Sequence, residues 1–213
     1  MNLFDRITLL ATGLVAIYLL FRFYEDYRRS DGKATYDIYH MVAFGVLLVA
    51  GLLLIAFGYD ALESPLVIMV AALIPLGISV GLVAEFVPRL ERYYLAFALV
   101  GVVAIAITRL AGSPAGLATG VLVAFHSVAG LVILGVPFLA SSQDKAPGAF
   151  VWVAVGGLLI DAGGMALAFL KTGRQLLFFS ADVVFAILAP LLLLMSLAFA
   201  WGFMKHMVAK QSA

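Results

Sequence analysis

Seven long apolar runs, at residues 4–22, 38–58, 65–87, 93–112, 116–140, 148–170 and 178–204, leave this chain few ways to fold. A helix needs about 17–25 residues to cross the hydrocarbon core of a bilayer. In oil, a helix is also the structure that satisfies its own backbone polar groups. Polar intervals between the runs are short, the longest at about residues 23–37, so no soluble domain fits. Composition agrees: 65% of residues are hydrophobic and 12% charged, against about 45–50% and about 25% in an ordinary soluble domain. The expectation is an all-α polytopic membrane protein with seven transmembrane helices in one domain, 1–213. Its first run is read as a span rather than a cleaved signal, because it is too long, lacks a small-residue cleavage motif and carries its basic cluster afterwards.

Charge and cysteine content exclude several functions. Thirteen Lys and Arg against twelve Asp and Glu give a net charge of +1. The basic residues sit at span ends and form no face or tail for nucleic acid. With no cysteine, the chain has no disulfide, thiolate metal site or thiol chemistry. No H-x-x-x-H, H-E-x-x-H, G-x-S-x-G, G-x-x-x-x-G-K or G-x-G-x-x-G pattern stands where a helix or loop can use it, so an enzyme is not expected.

Orientation follows from where Lys and Arg fall. Arg6, Arg109, Lys171 and Arg174 belong to one side; Arg22, Arg28, Arg29, Lys33, Arg89, Arg92, Lys145, Lys205 and Lys210 belong to the other. The second side is expected to be cytoplasmic, giving N-out and C-in, in the plasma membrane of a prokaryote. The expected surroundings are the lipid bilayer, with a homo-oligomer or a larger membrane complex as compatible assemblies. The stretch "RFYEDYRRSDGKATYD" (22–37) reads as a solvated hairpin, and "MKHMVAK" (204–210) as a solvated basic tail.

The chain also aligns with itself. "LATGLVAIY" from residue 10 matches "LATGVLVAFH" from 117, "AGLLLIAF" (50–57) matches "AGGMALAF" (162–169), and "PLVIMVAALIPLG" (65–77) matches "SADVVFAILAPLL" (180–192), which sets Pro75 on Pro190. The three matches come in order. They predict parallel repeats, 4–87 and 116–204, joined by a linker helix, 93–112, that restores direction. This 3+1+3 architecture is similar to that of the sugar-transporting SWEET proteins, the trimeric cation channels and the opsins, whose own motifs are not visible here. An opsin would need a lysine in mid-span seven, and residues 178–204 contain none.

Polar residues inside the spans carry the functional reading. Asp161 lies near the centre of span six, where an ionised carboxylate costs about 2.5–3.5 kcal/mol on insertion scales. Gly157, Gly164 and Ala168 share its face, a small-residue stripe that brings helices together. His126 in span five falls at nearly the same depth, with Gly130 on its face. A midplane His–Asp pair handles protons, since the carboxylate fixes the imidazole tautomer and stabilises its charged form. The same pair also serves as a plain lock between helices. Asp182 and Arg109 form a candidate outer gate or lock, while Glu85 reads as interfacial. The expected function is a small transporter or channel for a cation, proton or small solute, without a cofactor. One alternative is a haem- or quinone-binding or accessory subunit of a redox complex, with His40, His126 and His206 as weak haem-ligand candidates. Another is a lipid- or pigment-binding scaffold, to which the 16 phenylalanines point. A metal site from His126, Asp161 and Asp182 has no diagnostic spacing.

Overall fold

The computed structural model describes residues 1–170 and 180–212. Lys171 and Arg174, and the first two residues of the expected seventh span, lie outside the described residues. Eight α-helices follow in order: α1 (Leu3–Arg29), α2 (Thr35–Phe57), α3 (Pro65–Ala71), α4 (Leu73–Phe86), α5 (Glu91–Leu110), α6 (Ala115–Ser142), α7 (Val151–Leu170) and α8 (Ala181–Gln211). There is no strand among the described residues. Among the described residues, seven helical segments are long and apolar enough to cross a membrane, with α3 and α4 together making the third. The protein is an integral membrane protein by this measure.

Local sequence explains where the helices begin and break. Asn2 and Asp5 form a reciprocal capping box at the start of α1, satisfying two amide donors that a helix end otherwise leaves open. Ser180 caps α8 through the Val183 amide. Gly58, at φ 71°, closes α2 in a conformation that disfavours a side chain. The third span divides at Ala72 because Pro75 has no amide to donate to the Ala71 carbonyl four residues back. Pro190 lies inside α8 without dividing it.

Two expected boundaries require correction. α1 continues past residue 22 to Arg29, and α8 continues past residue 204 to Gln211. The hairpin and the tail read as solvated are therefore partly helical and partly buried: Phe23, Asp26, Asp37, His206 and Met207 all belong to the interior. The reason is periodicity. Phe199, Phe203, His206, Met207 and Lys210 recur at helical spacing, so one face of α8 remains directed inward through the basic sequence.

Six helices close a ring. α1 packs on α2, α2 on α4, α4 on α6, α6 on α7, α7 on α8, and α8 back on α1. α5 packs on α4 and α6. The main core fills the ring, running from Leu47 and Ile74 to Phe150, Phe203 and Met207.

Candidate functional site

His126 and Asp161 meet across the α6–α7 seam, with Nε2 and Oδ1 3.3 Å apart. Their side chains are 14% and 21% exposed. The separation is within ion-pair reach, yet neither atom makes an aligned hydrogen bond. Glycines on both helices make the approach possible. A Cβ at Gly130 on α6 would overlap the Asp161 carboxylate, and one at Gly164 on α7 would stand 2.8 Å from His126 Nε2. Farther along the seam, Gly157 receives Ile133 in the same way.

Beside this pair the helices border a partly open cavity of about 180 Å³. It occupies the half of the bundle nearer the N-terminus of α1, and all seven spans contribute to its wall. Leucine, isoleucine, valine and alanine dominate the lining; Thr12, Arg109 and His126 interrupt it. Pro75 lines it directly, as do Leu188 and Leu191 on either side of Pro190. Asp161 stands behind His126, outside the lining. Arg109 does not meet Asp182. The Asp is exposed in the first turn of α8, whereas α5 packs on α4 and α6. Arg109 instead faces the cavity, and its Nε and Nη2 are buried without a hydrogen-bond partner.

Toward the opposite end, aromatic side chains fill the ring of helices. Phe23, Phe44, Phe150, Phe199 and Phe203 come from α1, α2, the turn before α7, and α8, with neighbouring centroids 5.1–6.3 Å apart. Gly156 admits Phe199, since a Cβ there would come within 2.6 Å of its ring. His40 is completely buried among them, 4.8 Å from Phe23 and 4.7 Å from Phe203.

Beyond the aromatic layer lies a charged cluster that the sequence reading missed. Glu85, expected at the interface, has a side chain only 10% exposed and lies 2.9 Å from His206 Nε2. Lys210 donates to Asp26 at 3.0 Å, to Tyr36 at 3.0 Å and to Glu85 at 3.2 Å. Its ammonium also lies over the Tyr36 ring. Asp37 is 1% exposed on the adjoining turn of α2. These contacts join α8 to α1, α2 and α4. The sequence held a signal for them: His206 and Lys210 are four residues apart and share a helix face. The same holds for Asp37, His40 and Phe44.

The arrangement does not fit a haem between His40 and His206. His206 Nε2 is engaged by Glu85, and His40 Nε2 abuts Gly81 so closely that a Cβ there would overlap it. Both imidazoles stand against phenylalanine rings rather than an open slot. No group of three or more acidic or histidine side chains suited to a metal ion occurs among the described residues. The G-x-S-x-G string at 77–81 lies inside α4, where buried Ser79 donates to the Leu76 carbonyl at 2.9 Å. Comparison with family models, curated proteins and solved structures gives no match for this chain.

Proposed function

We propose that the protein is a small membrane transporter whose solute cavity lies between two three-helix halves and whose His126–Asp161 pair couples transport to protons. One observation carries this reading. A cavity bordered by every span has a titratable imidazole in its wall, backed by a carboxylate, and is closed at one end by an aromatic layer and an ionic cluster. Solute sites in transporters built from repeats occur where the halves meet, near mid-membrane. The ring order supports the repeat. Mapping spans one to three onto five to seven converts the α1–α2 contact into α6–α7, α2–α4 into α7–α8, and α4–α6 into α8–α1, and all of these contacts occur. The α5 helix, left over by this mapping, takes the place of the linker.

The proposed orientation is N-out and C-in, following the excess of Lys and Arg on the C-terminal side. The cavity then belongs to the outer half, and the molecule is in an outward-facing arrangement with its cytoplasmic side shut. In this reading the bonds of Lys210 and His206 to Asp26, Tyr36 and Glu85 are the inner gate, because every one of them bridges the two halves. His126, in the cavity wall with Asp161 3.3 Å away, is in this reading the group that exchanges protons with the cavity.

Purified protein in liposomes loaded with a pH-sensitive dye tests the reading. An imposed pH gradient is expected to produce proton flux above that of empty liposomes. Asp161→Asn should abolish the excess, and Asp182→Asn should preserve it. Equal flux with and without protein contradicts the proposal.

A further inference from the structure

The cavity wall contains an unmatched positive group. Arg109 presents a planar fork of donors, and its Nε and Nη2 are buried without a partner. No Asp or Glu lines the cavity among the described residues. Residues 171–179, which connect α7 to α8, contain no acidic residue either. Among the described residues, the remaining polar lining is Thr12 and His126, and the rest of the lining is apolar. A guanidinium beside an apolar chamber selects against cationic solutes and favours a planar, two-oxygen anion that accepts its paired donors.

We infer that the cavity binds a small organic carboxylate, with its anionic group on Arg109 and its apolar body against the leucine and valine wall. This deepens the transport reading and rests on it only for the steps after binding. Size supports a free solute over a lipid: an apolar cavity of roughly 150 Å³ accepts a benzene-sized guest, and the chamber here is about 180 Å³. Thr12, from α1, offers a hydroxyl, although it also donates to the Thr8 carbonyl at 3.0 Å. Asp161, 3.3 Å from His126, offsets any charge on that imidazole, so Arg109 is the charge left for the solute to match. The site therefore takes a monoanion and excludes its ammonium counterpart.

Binding is tested on the full chain in detergent by titration calorimetry and thermal unfolding, with benzoate, benzyl alcohol, benzylammonium and phosphatidylglycerol as probes. Benzoate is expected to bind most tightly and raise the unfolding temperature, with benzylammonium weakest. Arg109→Gln should weaken benzoate at least about tenfold, the loss expected for a hydrogen-bonded charged partner. Arg109→Lys should weaken it less while retaining the anion preference. Equal affinity for benzoate and benzylammonium, or an Arg109→Gln variant that binds benzoate unchanged, overturns the inference. So does phosphatidylglycerol binding through Arg109 where benzoate does not bind, which would assign the site to a lipid headgroup. Benzoate binding through Arg109 without proton flux in liposomes supports the carboxylate site and defeats the transport reading instead.

Discussion

His126 and Asp161 approach to 3.3 Å because each occupies the place where the other's helix lacks a side chain. His126 lies over Gly164, and the Asp161 carboxylate lies over Gly130. The two glycines and the two polar groups form one unit: removing a glycine separates the pair, and removing the pair leaves the glycines nothing to admit.

Gly130→Ala and Gly164→Ala are therefore expected to destabilise the protein by about 1–3 kcal/mol, the usual cost of overpacking. Gly120 on α6 meets nothing within 4 Å, so Gly120→Ala should be neutral or stabilising by about 0.5–1 kcal/mol. Thermal unfolding of the three variants in detergent checks the contrast. Equal behaviour at all three positions would contradict the seam geometry.

Lys210 links Asp26, Tyr36 and Glu85. Lys210→Ala leaves two largely buried carboxylates with one fewer counter-charge, and is expected to cost about 1–3 kcal/mol because Lys210 itself is partly exposed. If the cluster is a gate, the loss should also loosen the aromatic layer. The chain has no cysteine, so Ser196→Cys, at a completely buried position, reports this through maleimide labelling. Labelling is expected to be slow in the parent and faster with Lys210→Ala. No change in rate would make the cluster a static lock.

The seven spans were legible because a run of apolar residues has one stable form in oil, and the His126–Asp161 contact was legible because helix rise fixed both at one depth. The inner cluster was not. Glu85, Asp26 and Lys210 are charged residues near span ends, where charge normally denotes water, and only the spacing of Phe199, Phe203, His206 and Lys210 shows that the inward face continues. Arg109 was assigned Asp182 as its neighbour but faces the cavity instead, since chain order does not state that α5 contacts α4 and α6 while α8 contacts α7 and α1.

Orientation is open to the same chemistry. Ser113 lies between α5 and α6, on the N-terminal side, and Ser142 ends α6 on the other side. In intact cells, Ser113→Cys should react with a membrane-impermeant maleimide and Ser142→Cys should react only after permeabilisation. The reverse pattern would invert the topology.

The central claim is that His126 and Asp161 act as one proton-carrying unit. Its most direct test is proton flux in dye-loaded liposomes for His126→Gln, Asp161→Asn and the double variant, with each protein's folding verified by thermal unfolding. The account predicts at least a tenfold loss in either single variant, about 1.4 kcal/mol, and no further loss in the double. Full flux in Asp161→Asn, or losses that multiply in the double variant, would contradict it.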